Sequence, residues 1–223
     1  MKARPMLGAM ALIALNVIAG VPQTPRGNNQ ELLNMPIKNL NLKAANISVL
    51  LSDLSTQKNL PIGLEVSPQD DLSKTKTVRL QIKSGTVADV LTSIVKQNPL
   101  YTWKIQDGVI NVLPVEANRD PLLREVLETR LEKFSMERGM GKFYVRQTLS
   151  TIPAIKTILT QHKVVADNSA WSRDFTPLGR GYELEASNIS VSGLLNKIVR
   201  ESQTKYWIVQ RYGDRRQYFI LNL

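Results

Sequence analysis

His162 is the only histidine in the chain, set in the stretch "LTQHKVV". One imidazole cannot build a His-rich metal site, and any Ser-His-Asp set would have to use this ring, just ahead of an expected strand. It reads as a structural or solvent-facing side chain. Asp70 and Asp71 are adjacent carboxylates, but Lys74 and Lys76 share their polar stretch and no second acidic cluster is assured to face them, so they read as a solvated loop. "RGMGK", Arg138 to Lys142, lacks the spacing and the hydroxyl residue of a phosphate loop, and a strand from Phe143 to Arg146 is expected after it. No catalytic residue, metal ligand or cofactor is therefore assigned. The strongest binding candidates lie in "YWIVQRYGDRRQYF", where Arg211, Tyr212, Arg215 and Arg216 surround a turn. Their guanidinium groups suit carboxylates or phosphates of a partner; the competing reading is that they keep a hairpin turn soluble.

The formal net charge is +10, with 43% hydrophobic and 22% charged residues. That composition is ordinary for a globular chain and excludes disorder throughout. The charge attracts anionic partners without choosing among nucleic acid, phospholipid and acidic protein. The chain has no cysteine, which excludes disulfides, thiolate metal sites and cysteine nucleophiles. Lys2 and Arg4 precede an uncharged run from Met6 to Gly20, too short to span a bilayer comfortably and ending in the small residues Ala19 and Gly20. Residues 1–20 read as a secretory signal peptide, so the mature chain is expected in the periplasm or outside the cell, without a transmembrane span.

Residues 21–36 read as a flexible lead-in. "IKNLNLKA" then alternates as a strand, and Ile47, Leu50, Leu51 and Leu54 stripe a helix that Asn46 or Ser48 could cap. "PIGLEV" and the alternating Val78, Leu80 and Ile82 are further strands. A second helix carries Val87, Val90, Leu91, Ile94 and Val95 on one face, and Asp107-Gly108 between alternating runs signals a hairpin. Asp120-Pro121 starts a helix expected to run over Asn118–Met136 and to link two units. Beyond it the order recurs: a strand, a helix with Pro153 in its first turn, the strands "KVVAD" and "YELEA", and a helix striped by Val191, Leu194, Leu195, Ile198 and Val199. A hairpin ends the chain. The second stripe repeats the offsets of the first, the mark of a duplicated unit.

The segment Leu40 to Pro114, "LNLKAANISVLLSDLSTQKNLPIGLEV" followed by "TVRLQIKSGTVADVLTSIVKQNPLYTWKIQDGVINVLP", resembles the short N-terminal domain of secretins and TonB-dependent receptors. The second copy resembles it only from about Tyr182 onward. The expected fold is α+β: two small β-α-β-β-α-β-β units, residues 37–115 and 140–223, joined by the helix at 118–136. The resemblance implies a non-enzymatic module that docks an envelope protein of a secretin-like or TonB-like system, or packs with other copies. Sheet edges and the basic hairpin would supply the contacts. The alternative is an RNA-binding α+β protein, in which the hairpin rings stack on bases; it gains weight if residues 1–20 are not a signal. Nucleic acid is not the favoured partner.

Overall fold

The computed structural model describes residues 27–70, 77–167, 178–179, 181–213 and 217–223. The expected signal peptide, Asp71, Arg215, Arg216 and most of the loop after "KVVAD" lie outside them. The first described element is a helix, α1 (Gly27–Asn34), which corrects the expectation of a flexible lead-in. Leu32, Leu33 and Met35 pack against the adjacent core, and Val87 N–H donates to the Met35 carbonyl at 3.1 Å, so tertiary contact anchors this polar segment. Next come β1 (Pro36–Ala44), α2 (Ile47–Lys58), β2 (Ile62–Glu65), β3 (Val78–Thr86), α3 (Val87–Gln97), β4 (Tyr101–Gln106) and β5 (Val109–Pro114). Asn46 caps α2 by accepting from Val49 N–H at 3.0 Å, and Thr86 with Asp89 forms a capping box on α3. Asp107 and Gly108 both take positive φ, 55° and 74°, the geometry of a tight two-residue hairpin turn.

After a 3-10 turn at Glu116–Asn118, α4 (Pro121–Glu128) begins under the Asp120 carboxylate, which accepts from Leu122 N–H at 2.8 Å. The expected linking helix stops at Glu128. Arg130–Met136 forms β6 instead, because its buried Leu131, Phe134 and Met136 line a strand that pairs with another strand distant in sequence. Lys142–Thr151 is likewise a helix, α5, and not the expected strand. Val145 and Leu149, one helical turn apart, are the apolar residues it buries, beside Arg146. The chain continues through α6 (Pro153–Gln161), β7 (Val164–Ala166), β8 (Leu184–Ser190), α7 (Val191–Glu201), β9 (Tyr206–Tyr212) and β10 (Gln217–Asn222). The architecture is α+β, with seven helices and ten strands among the described residues.

Two ribbons, β1–β3 and β6–β8, flank one six-stranded sheet ordered β4-β5-β2-β9-β10-β7. In the first half β4 pairs antiparallel with β5 and β5 parallel with β2; in the second, β9 pairs antiparallel with β10 and β10 parallel with β7. A parallel pairing of β2 with β9 joins the two triplets, with Leu64 beside Ile208. Side chains alternate between faces, so the two cores lie on opposite sides of the sheet. Ile62, Leu64, Ile110 and Val112 belong to the core of α2, α3 and β1–β3, whereas Val109, Trp207, Val209, Phe219 and Leu221 belong to that of α4 to α7 and β6–β8. Ile208 of the second half lies in the first core, and Val109 of the first half lies in the second.

Gly63 sits at the junction because no side chain fits there: a Cβ would stand 2.1 Å from the Trp207 indole, which lies across β2. Gly63→Ala is expected to cost about 2 kcal/mol or more through overpacking, with a shift in Trp207 fluorescence. Since each core borrows a residue from the other half, urea unfolding should be a single transition. Cleavage between Val115 and Asp120 should leave no folded N-terminal fragment; a stable fragment would show that the halves fold apart.

Candidate interaction surfaces

The junction is fixed by buried polar contacts as well as apolar ones. Glu65, on the central strand β2, accepts a bidentate pair of hydrogen bonds from Arg119, at 3.1 Å from Nε and 2.8 Å from Nη2. The Glu65 side chain is only 3% exposed, and burial pushes its carboxyl above the ordinary value, against the pull of the Arg119 guanidinium. Asn196 of α7, fully buried, accepts from Trp207 Nε1 at 3.0 Å and donates to the Gln106 carbonyl at 3.3 Å. Arg200, one turn further on, donates to the Asp107 carbonyl at 2.9 Å. The last helix therefore grips the hairpin turn of the first half.

Beside this junction lies a cleft of about 270 Å³, whose lining includes Glu65, Lys104, Asn111, Arg119, Arg130, Ser190 and Ser192. Several of these groups are engaged with one another or with their surroundings, among them Glu65 with Arg119 and Asn111, whose side chain donates to the Val109 carbonyl at 3.0 Å. Arg130 donates to the Asn188 side chain and carbonyl, at 3.0 and 2.9 Å. Ser190 Oγ lies 3.1 Å from Ser192 Oγ and accepts from Gly193 N–H at 3.0 Å as the cap of α7. No nucleophile–base pair lines the cleft, and among the described residues no group of three or more His, Asp or Glu stands close enough to hold a metal ion. His162 Nε2 lies 3.1 Å from Glu125 Oε2, joining the end of α6 to α4. Asp70 accepts from the Tyr101 hydroxyl at 2.8 Å, and burial first, with this carboxylate adding, pushes the phenol up.

The hairpin candidates divide. Arg211 is half-buried and turned inward, donating from Nε to Gln217 at 3.1 Å and from Nη1 to the Asp120 cap of α4 at 3.4 Å. Tyr212 is 39% exposed and stacks on Tyr218 with ring centroids 5.4 Å apart. Its hydroxyl donates to Asp167, and burial with that carboxylate pushes the phenol up to about 12. Arg215 and Arg216 lie outside the described residues. Trp207 and Phe219 are core residues, and Tyr206 packs on the first core with its hydroxyl toward the Ser48 carbonyl.

Sequence reasoning did not single out the two ends of the long sheet. Val115 N–H donates to the Leu100 carbonyl at 2.9 Å, so Thr102 and Lys104 turn their backbone groups toward β5 while Trp103, Ile105 and the Tyr101 carbonyl face outward, the Tyr101 N–H donating to the Asn98 carbonyl at 3.0 Å. At the other end Asp167 N–H donates to the Phe219 carbonyl at 2.9 Å, which leaves the backbone groups of Val164 and Ala166 facing outward. Among the described residues no strand pairs with the outer side of β4 or β7. No helix among the described residues is long and apolar enough to cross a membrane. No family model, no curated protein and no solved structure matches the chain.

Removing Glu65 alone takes from the largely buried Arg119 guanidinium its two short hydrogen bonds, leaving it only Glu116 and Glu128 at 3.7 and 3.6 Å. Glu65→Ala is expected to cost about 3 kcal/mol in urea unfolding, and the double change Glu65→Leu with Arg119→Met to cost clearly less than the single one. Because the folded-state value of Glu65 is raised, the stability linked to its proton is full below the ordinary value of 4.5 and is lost as pH rises through the folded value. Glu65→Gln should flatten the stability profile just above pH 4.5; an unchanged slope would place that titration elsewhere.

Proposed function

We propose that the chain is an exported, non-enzymatic protein-interaction module made of two secretin-N-domain-like units, docking an envelope protein through the edges of its sheet. The observation that carries this reading is the pair of strands, β4 and β7, open on their outer sides among the described residues, at opposite ends of one sheet whose middle is held by buried contacts. An open edge offers a row of backbone donors and acceptors at fixed spacing, which is what an incoming strand needs. A rigid sheet places that row without the ordering cost of a mobile loop. Residues 1–20, with a basic start and a short apolar run, support export to the periplasm. The cleft fits a non-catalytic role, since Glu65, Arg119, Arg130 and Ser190 are each already hydrogen-bonded within the fold.

The hairpin contributes less than its composition suggests. Arg211 stabilises the molecule's own fold through Asp120 and Gln217, which leaves Tyr212 as the described candidate on the outer surface. The burial of Trp207 and Phe219 removes two of the rings that base stacking would need, so RNA binding is the weaker reading.

Cross-linking in intact cells, followed by recovery of the full-length protein and determination of its N-terminus, tests the proposal. The expected result is an outer-membrane or envelope-assembly protein bound to a chain beginning near Val21, with recovery reduced by Val165→Lys on the β7 edge. Recovery of RNA and ribosomal proteins on an uncut chain would overturn it.

A further inference from the structure

We propose that one partner at these edges is a second copy of this chain, whose β4 adds in parallel beside β7 and so repeats between molecules the β2–β9 join found within each. The inference rests on the sheet-edge reading above and gives the edge a specific occupant. Its basis is topological. Within the triplet β9-β10-β7, strand β9 occupies the place that β4 occupies in β4-β5-β2, with the same parallel and antiparallel senses. The molecule has already joined the β2 end of one triplet to the β9 end of the other. What remains unpaired among the described residues is the matching couple, a β7 end and a β4 end.

The backbone pattern agrees. Ile62 N–H donates to the Lys205 carbonyl at 2.8 Å and Val66 N–H to the Val209 carbonyl at 3.0 Å, so Lys205, Trp207 and Val209 are the positions through which β9 meets β2. Counted from the striped helices, whose equivalent residues Val87 and Val191 open α3 and α7, these correspond to Tyr101, Trp103 and Ile105. Those are the residues whose backbone groups, the Tyr101 N–H apart, face outward on β4. On the receiving side Ile62 and Leu64 meet β9 and carry side chains of their own core, and the outward-facing Val164 and Ala166 of β7 likewise pack toward theirs.

Sense and face are also consistent. Because β2 joins β9 in parallel, β4 and β7 of one molecule run the same way, so an added copy needs only translation along the sheet, without inversion. In that placement Trp103 of the incoming copy comes to the face that Val165 presents. Val165 is 39% exposed, an uncovered apolar side chain on an edge strand, and Trp103 is half-buried. The contact is heterologous, leaving one β4 and one β7 free at the ends of any row, and its products grow by whole copies. Chains of net charge +10 repel one another, so salt should strengthen the association rather than weaken it.

The test uses the full chain. Sedimentation velocity over a range of protein and salt concentrations is expected to show mass rising in whole copies, more so at high salt. Val165→Lys alters an exposed side chain, and Ala166→Pro removes an outward N–H that makes no bond to β10; each should weaken association by about tenfold or more. As the chain has no cysteine, a protein carrying only Ala166→Cys can be mixed with one carrying only Lys104→Cys, the pair that would stand where Leu64 stands beside Ile208. Oxidation should give a mixed dimer, and a chain carrying both changes should give a ladder. A monomer at every concentration, without the mixed disulfide, would overturn the proposal while leaving the edges to a different partner in the cellular cross-linking. Association that survives both edge variants would place the contact elsewhere and overturn it as well.

Discussion

Everything in this molecule depends on the parallel pairing of β2 with β9. Without it there would be two triplets of strands, each with helices on one face and an open edge at either side. With it, the helices of each half reach the strand of the other: α2 touches β9 as well as β2, and α7 touches β2 and β5 as well as β9. The two central strands are thereby covered on both faces, which is why all four residues of β2 are buried. A strand buried in this way is normally a run of apolar residues, and β2 departs from that in two places, each with its own compensation. Gly63 makes room for an indole, and Glu65 is met by Arg119.

These departures have a common effect on register. A one-residue slip of β9 along β2 would set Trp207 against a side chain, and would turn Ile208 out of the first core toward the second. Apolar strands alone tolerate such errors more readily than strands whose neighbours differ in size. The Asn196 bridge adds a directional constraint, because it satisfies the Trp207 N–H and the Gln106 carbonyl with one side chain. Arg119 and Asp120, successive residues of the connection before α4, are held by Glu65 of β2 and Arg211 of β9, so the passage from one half to the other is fixed at both residues.

Much of this was legible in the residues. The two striped helices bury the expected faces, Asn46 caps α2, and Asp107-Gly108 makes the expected turn, because each feature is decided within a few residues of itself. Where the reading failed, distant partners decided. Leu131 and Phe134 stand three apart, a helical spacing, yet the strand β8 draws Arg130–Met136 into a ribbon; Phe143 and Val145 alternate as in a strand, yet Val145 and Leu149 bury one side of a helix. Gly27–Asn34 has few apolar residues, and its helix rests on Leu32 and Leu33 finding a core that the segment itself does not announce. The hairpin arginines drew attention by composition, but no local pattern says that Arg211 points to Asp120, ninety-one positions away in sequence. That sheet edges would supply contacts was expected, but not which strands form them, since the ends follow only from the whole order of pairing.

The β2–β9 pairing also sets an order of events. β2 is among the first strands to be made and is completed only by a strand near the end of the chain, after nearly all other elements have been synthesised. Contacts so far apart in sequence form slowly, since a long loop must close before they give anything in return. Until then Ile62, Leu64 and their backbone groups form an unfinished edge beside a glycine that awaits its tryptophan. For the folding chain, the joint that makes the finished protein one body is a prolonged exposure, and whatever helper holds the chain before it folds has that strand to shield.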